Sequence, residues 1–508
     1  MERVHSVGFS GLTGMYVWVE VDVASGLSSF TIVGLWDASI QESRERVRSA
    51  IKNSWFSFPG ANRITVNLAP ADLKKRGPSF DLPIAIGILS PAHGFKRELI
   101  AKSLFLWELS LDGKVRPVSG IIPSILFAKE AGYQYVFLPK ENEQEASIIE
   151  WVHIIGVASL TEIVSMLEWE KAIPEMIISK PAIDEKLHFS PDFSEIIWQE
   201  HAKRSLLIAA AGGHNILLEW PPGSGKTMLA KAFQWILPPL TLDEKIEVSR
   251  IYSIAGLLSR EQPIILHRPF RKIHHTASEI SIIGWWRDSR PGEISLAHRG
   301  VLFLDEFLEF GTSVLETLRQ PLEDGEITIN RVNASYRYPS KFILVGALNP
   351  CPCGYLGDKE KPCTCNEWAI VRYRSKLSGP ILDRIDMYIR VPRVRVEDFS
   401  QYQKSTSEYT SIHMSEAVNR AREIQRKRFN GAKHLWNAEM NNAQIEMYCT
   451  LSPEDTEFLT TAVSRFQLST RVYFRILKLA RTIADLDGSE YIARSHLAEA
   501  LWYRLNLN

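Results

Sequence analysis

Ile216-Leu217-Leu218-Glu219-Trp220-Pro221-Pro222-Gly223-Ser224-Gly225-Lys226-Thr227 is the stretch whose reading decides the fold. Three apolar residues of the kind found in buried parallel strands run into a turn of small residues, and a helix opens at about Met228. Small side chains at Pro222, Gly223, Ser224 and Gly225 let the backbone close around phosphates, and the helix N-terminus adds its dipole. Lys226 would reach the terminal phosphates of a nucleotide, and the Thr227 hydroxyl would ligate Mg²⁺. In the pattern G-x-x-x-x-G-K-T the first position is here Trp220 rather than Gly.

Outward from this loop, the chain alternates short strands and helices from about residue 197, which predicts a parallel sheet with covered faces. Val301-Leu302-Phe303-Leu304 is a buried strand that ends in Asp305-Glu306. Asp305 is the expected Mg²⁺ ligand, and Glu306 the expected base or orienting group for an attacking water. Phe342-Ile343-Leu344-Val345 reads as a further strand. From about 400 the spacing turns helical, with helices expected over 414–429, 453–466 and 472–486. Before the loop, Val17 to Val23 alternates as a half-buried strand. Ser43 to Lys52 predicts a charged helix, Arg63 to Leu68 a strand, and Pro83 to Leu89 a buried helix.

Composition sets limits. The 508 residues are 45% apolar and 23% charged, with 59 Lys+Arg against 59 Asp+Glu. Zero net charge excludes holding nucleic acid by bulk charge, so any such contact needs a local patch. Five Cys do not make a disulfide scaffold. No apolar run reaches the ~18 residues of a membrane span, and the start lacks a signal-peptide core, so a cytoplasmic protein without a membrane partner is expected.

The motifs together resemble the AAA+ ATPases of the magnesium-chelatase-like class. The resemblance rests on Pro221 to Thr227, Arg290-Pro291-Gly292-Glu293-Ile294-Ser295-Leu296-Ala297-His298, Leu304-Asp305-Glu306, Asn349-Pro350-Cys351-Pro352-Cys353-Gly354 and Gly379-Pro380-Ile381-Leu382-Asp383-Arg384-Ile385-Asp386. Thr31 to Leu35, Glu42 to Val47 and Asn67 to Asp72 narrow it to the YifB/ComM branch. The resemblance implies an α/β protein in three parts. These are a Lon-like (ribosomal S5 domain 2-like) N-terminal domain at 1–170, an AAA+ core at 197–400 after a linker at 171–196, and a C-terminal helical lid at 401–508.

It also implies ATP and Mg²⁺ as cofactors and an ATP-hydrolysing hexameric ring acting on single-stranded or branched DNA. Branch migration in recombination or natural transformation is the implied activity. Asn349 would be the polar sensor near the γ-phosphate, Arg384 the arginine finger offered to a neighbouring subunit, and Arg471 the second sensor arginine. The resemblance further implies a β-hairpin over Glu326 to Phe342 carrying Arg331 and Arg337, which are DNA-phosphate contacts or part of a solvated hairpin. Lys74-Lys75-Arg76 is an anion patch or a solvated charge run, and the basic run Arg420, Arg422, Arg426, Lys427 and Arg428 lines a DNA path or is a solvated face. A chelatase motor subunit, an ATP-dependent protease and a non-hydrolysing nucleotide-binding scaffold are the rival readings.

Gly77-Pro78-Ser79-Phe80-Asp81 resembles the nucleophile segment of Lon-type peptidases. Ile121-Ile122-Pro123 occupies the segment where that family's catalytic Lys is expected, so peptidase chemistry is expected to be absent. Cys351, Cys353, Cys363 and Cys365 form two Cys-x-Cys pairs on a turn-rich segment and suit a structural Zn²⁺, with reduced thiols as the alternative. His274-His275 lacks a third nearby ligand and reads as loop structure.

The last feature is a residue bias. Trp is high at 14 and Gly low at 29. Trp55, Trp107, Trp198, Trp220, Trp235, Trp285 and Trp286 fall where the resembled family commonly has Gly. One cause would account for all of them: a gene that uses UGA for Gly, translated with UGA as Trp.

Overall fold

The computed structural model describes residues 1–34, 38–70, 79–149, 152–168, 190–196, 199–221, 225–284, 290–330, 335–358, 360–391, 409–429 and 435–505. Pro222–Ser224, Lys74–Pro78, Trp198, Trp285, Trp286, Arg331 and most of the 171–196 linker lie outside them. The chain divides into two compact units, one of residues 1–185 with 242–266, the other of 186–241 with 267–508.

The first unit is built on a four-stranded sheet in the spatial order Glu2–Ser10, Thr13–Ser25, Asn62–Ala69, Ser29–Val33. Its first three strands pair antiparallel and the last joins in parallel. Alternation fixes the buried face: Val17, Val19 and Val21 are each at most 1% exposed. Helices Ala38–Asn53 and Asp81–His93 pack on this core, the second buried along Asp81 to Ser90. Asp81, fully buried, is held by Arg46 Nε at 2.7 Å. The charged segment 42–47 and the segment ending Ser79-Phe80-Asp81 thus meet in one ion pair. A smaller parallel sheet of Ser103–Phe105, Tyr135–Pro139 and His153–Val157 completes the unit.

Helix Leu242–Ala255 belongs to this unit although it follows the phosphate-loop helix in sequence. Its Ser253 Oγ donates to the buried Glu145 carboxylate, and the Gly120 amide donates to the Ser253 carbonyl. Burial pushes the Glu145 carboxyl above its ordinary range, against the pull of Ser253 and Asn142.

The second unit holds a five-stranded, wholly parallel sheet. Its spatial order is Phe270–Ile273, Val301–Leu304, Ile343–Leu348, Ile216–Glu219, Met387–Arg390. Every residue of Val301–Leu304 and Ile343–Leu348 is buried, as continuous apolar runs in covered parallel strands require. The hairpin pairs Glu326–Asn330 with Ser335–Pro339.

The C-terminal part is helical over Ser411–Arg428, Pro453–Arg465, Thr470–Leu486 and Arg494–Leu505. Ser469 caps Thr470–Leu486 through its hydroxyl, and Val472, Ile476, Leu479 and Ile483 recur on its buried face. The basic run on Ser411–Arg428 is in part structural rather than exposed. Arg422 is 4% exposed and lies over the Trp436 ring, and Arg428 pairs with buried Asp485. Among the described residues, no helix is long and apolar enough to cross a membrane.

Candidate nucleotide site and cysteine cluster

In a parallel sheet all strand C-termini share one edge, and that edge collects most of the sequence-predicted site residues. Gly225, with φ of 82°, caps helix Lys226–Ile236, a left-handed conformation suited to Gly. Lys226 Nζ donates to Asn349 Oδ1 at 2.5 Å, joining the lysine of the loop to the residue that ends Ile343–Leu348. Burial pulls the Lys226 ammonium down to about 8, opposed by the charges of Asp305 and Glu306. Thr227 is half-buried beside it. Lys272 Nζ holds Asp305 Oδ2 at 3.0 Å. Glu306 adopts φ 54° and ψ 49°, a left-handed backbone that costs a non-Gly residue about 1–3 kcal/mol. This turn sets the carboxylate just past the buried strand, where His275 Nδ1 stands 2.8 Å from Oε2.

Arg384 and Arg471 are elsewhere. Arg384 precedes Met387–Arg390, whose first residue pairs with Ile216, so it sits at the N-terminal edge of the sheet. Four-residue strands separate the two edges by about 13 Å. There Arg384 and Arg471 share the Glu323 carboxylate, Arg471 at 2.8 Å. The Arg384 hydrogen bond holds Glu323 below its ordinary range. Arg384 Nη1 also donates to the Pro380 carbonyl at 2.6 Å.

The segment bearing Arg384 is fixed from behind. Burial works to raise the Asp386 carboxyl, but Arg475 and His214 outweigh it and hold it well below the usual carboxylate range. Arg504 donates to the Ile385 carbonyl. A cavity of about 420 Å³ opens at this edge between Glu323, Asp386, Arg299, Lys341 and Arg475. Sequence reading missed Lys272, Glu323, Arg475 and Arg504. Asp386 lay within a quoted motif, but its burial had no signal in sequence.

The four cysteines converge. Cys351 Sγ lies 3.3 Å from Cys353 Sγ and 3.7 Å from Cys363 Sγ, and Cys353 lies 3.5 Å from Cys363. All four sulfurs lie within 4.8 Å of one another. Four thiolates at the ~2.3 Å Zn–S distance would stand about 3.8 Å apart, so the donor set fits one tetrahedral ion. Burial opposes ionisation of Cys353, yet the backbone N–H groups of Tyr355 and Thr364 bring its thiol down to about 5.

Ser79 is half-buried, and Ile121 and Ile122, where a peptidase would need its Lys, are fully buried and apolar. Arg337 is exposed on the hairpin, 3.6 Å from Glu326.

The tryptophans divide. Trp55 has φ 66° and is 95% exposed, a left-handed position that a bulky residue adopts only under strain. Trp107 and Trp220 are fully buried, and their indole N–H groups have no hydrogen-bond partner among the described residues. The backbone at Trp220 is not left-handed, so its penalty is the unpaired N–H and not strain. Trp235 does find an acceptor, the Ser190 carbonyl at 3.0 Å. Trp55→Gly is accordingly expected to stabilise the protein by about 1 kcal/mol in urea unfolding. The coding DNA checks the common cause: UGG at 220, 285 and 286 would end it, and UGA there would support it.

Comparison with known proteins matches three stretches of the chain. The family described as magnesium chelatase, subunit ChlI, matches residues 192–399. Two further descriptions of that subunit match 19–142 and, for its C-terminal part, 408–504. Competence protein ComM of Haemophilus influenzae is 42% identical over 508 residues, covering 99% of this chain and 97% of that protein. YifB of Escherichia coli is 39% identical over 501 residues, covering 99% and 96%. The magnesium-chelatase 38 kDa subunit of Rhodobacter capsulatus is 29% identical over 174 residues, covering 31% of this chain and 50% of that protein.

Proposed function

From the premise that the chain belongs to the magnesium-chelatase-like AAA+ family, in the branch that contains ComM and YifB, we propose that it is an ATP-hydrolysing ring motor acting on DNA. The observation that carries this reading is the split of the site between two edges of one sheet. Lys226, Asn349, Asp305 and Glu306 gather at one edge, and Arg384 and Arg471 at the other. Phosphoryl transfer needs a bound metal, an oriented water and a guanidinium on the developing charge. On this reading one subunit would hold the first two at one edge and offer the third to a neighbour. Subunits stacked head to tail complete every site, and a closed ring is the arrangement that leaves none unfinished.

Each residue has a part. Lys226 would hold the phosphates and Thr227 would be a ligand to the metal, with Pro222–Gly225 as cradle. Asp305 would hold Mg²⁺, which when bound would supply screening of the phosphate charge. Glu306 takes the proton from the attacking water, and Asn349 orients that water. The N-terminal unit is read as a Lon-like fold without peptidase chemistry, and the C-terminal helices as the lid. Ser79→Ala is expected to leave ATP turnover unchanged, and the wild type to cleave no casein; ATP-stimulated cleavage lost in Ser79→Ala would overturn this.

DNA as substrate is supported by full-length similarity to a competence protein. The chelatase reading is supported over about a third of the chain. ATP turnover measured without DNA and with single-stranded, duplex and four-way-junction DNA tests the reading. Stimulation by single-stranded or junction DNA is expected; the same turnover in all four conditions would remove DNA from the proposal.

The cysteine cluster is proposed to hold one structural Zn²⁺. Protein purified reduced and without chelator is expected to carry close to one zinc per chain, lost when Cys351 and Cys363 are both replaced by Ser. Elemental analysis finding no zinc in the wild type would reject it.

A further inference from the structure

We propose that a pocket in the first unit, between Phe30, Phe58 and Arg48, takes one nucleotide of a single DNA strand, its base stacked on Phe58 and its phosphate on Arg48. The inference rests on the reading that the chain acts on DNA. With 59 Lys+Arg against 59 Asp+Glu, any such contact needs a local patch. The basic run on Ser411–Arg428 is in part spent inside the fold, on Trp436 and Asp485. Helix Ala38–Asn53 supplies a different patch. Arg44, Arg48 and Lys52 recur at i, i+4 and i+8, so they share one face, and all three are exposed. Arg46 lies off that face and is engaged by buried Asp81. Arg44 meets its neighbour Glu45 at 3.2 Å, but the two are 49% and 62% exposed, so water competes and the pair holds little. The Arg48 guanidinium lies 5.8 Å from the centre of the Phe58 ring.

This patch borders a cavity. It has a volume of about 270 Å³, close to the ~300 Å³ lower end of sites for small ligands. Phe30 and Phe58 line it with ring centres 6.1 Å apart and planes at 42°. Both are half-buried, resting on the apolar core of the unit while part of each ring stays open. Buried Ile64 lines the cavity from the core side. The loop that carries Phe58 is tied down: the Ser28 hydroxyl donates to the Gly60 carbonyl at 2.5 Å, and the Asn62 amide donates to the Pro59 carbonyl at 3.1 Å. The pocket therefore stands formed before a ligand arrives, which lowers the ordering cost of binding.

An open ring beside a guanidinium suits a planar base joined to a phosphate. Every base has a face that stacks, so such a site holds a single strand without reading its sequence. Strand Ser29–Val33 starts in the pocket and is the end strand of its sheet. Its outer N–H groups have no partner strand among the described residues, and backbone N–H groups of this kind meet further phosphates. The edge alone would equally suit a peptide strand; the guanidinium beside an open ring is what favours DNA.

Anisotropy of a fluorescein-labelled oligothymidylate on the full-length chain, with and without a non-hydrolysable ATP analogue and over a range of salt, tests the proposal. Arg48→Ala and Phe58→Leu are each expected to weaken binding roughly fivefold or more, the low end for removing one base–aromatic stack. Arg48→Ala is also expected to flatten the slope of log affinity against log salt by about 0.7, the share of one phosphate contact on a single strand. Phe58→Leu should leave that slope unchanged, and Phe58→Tyr, which keeps the ring, should bind as the wild type does. Wild-type affinity in Arg48→Ala and Phe58→Leu would overturn the pocket and leave the DNA reading standing. An unchanged slope in Arg48→Ala would overturn the phosphate contact, and because Arg48 is exposed this holds even if Phe58→Leu fails to fold. Labelled thymidine monophosphate is expected not to bind at concentrations that saturate the oligonucleotide. Its binding, lost in Arg48→Ala while the oligonucleotide still binds, would make this a site for free nucleotides and overturn the strand. A wild type that binds no oligonucleotide in either condition would remove the DNA reading and the proposal with it.

Discussion

Glu306→Gln is expected to keep ATP binding and to slow turnover by about 10²–10⁴-fold, the range for losing a positioned base. The substitution is nearly isosteric and sits after a strand whose four residues are all buried, so the sheet and the Asp305 position should persist. The amide can still meet His275, but it cannot take a proton at neutral pH. Lys226→Ala is the contrasting variant. Lys226 donates to Asn349, and burial pulls its ammonium down to about 8 even against the charges of Asp305 and Glu306, so bound phosphates would add stabilisation that its charge lacks. Its loss should weaken nucleotide binding as well as turnover. Steady-state turnover together with equilibrium binding of a fluorescent ATP analogue separates the two variants. Unchanged turnover in Glu306→Gln would sink the assignment of the base.

What sequence could and could not reveal follows from the range of each signal. Strands such as Val301–Leu304 and helices such as Thr470–Leu486 were legible because their burial repeats with a local period. That Lys226, Asp305 and Asn349 meet at one edge of the sheet was legible through motifs, which set these residue types beside particular turns. The convergence of four cysteines was readable because the pairs lie close in sequence. Contacts that pair distant segments left no such trace. Glu323 is separated by 61 residues from Arg384 and by 148 from Arg471, and nothing in its local sequence marks it as their shared acceptor. Arg422 and Arg428 looked like a solvated or DNA-facing run because charge is the only local signal; burial against Trp436 and Asp485 is tertiary. Helix Leu242–Ala255 falls inside the span 197–400 that the sequence reading assigned to the AAA+ core. Its packing with the first unit depends on Ser253, Glu145 and Gly120, which no periodicity connects.

Arg384→Ala is expected to reduce turnover by about 10³–10⁵-fold, the range for an arginine that stabilises the transferred phosphoryl charge. ATP affinity of the separate subunit should hardly change, because Arg384 is at the far edge of its own sheet. The fold should also survive: the segment is anchored by Asp386 to Arg475 and by the Ile385 carbonyl to Arg504, and Glu323 keeps Arg471 at 2.8 Å. A large loss alone would not show that the guanidinium acts on a neighbour. Mixing does. A ring assembled from Arg384→Ala and Glu306→Gln subunits contains some interfaces where an intact Glu306 site meets an intact Arg384, although neither variant is active alone. Partial recovery of turnover on mixing is the expected result, greatest near equal proportions, where such interfaces are most numerous. If Arg384 instead served its own subunit, every chain in the mixture would carry one broken site and turnover would stay at the level of the variants. No recovery in rings shown to contain both chains would therefore place Arg384 in its own subunit's chemistry or outside the chemistry altogether.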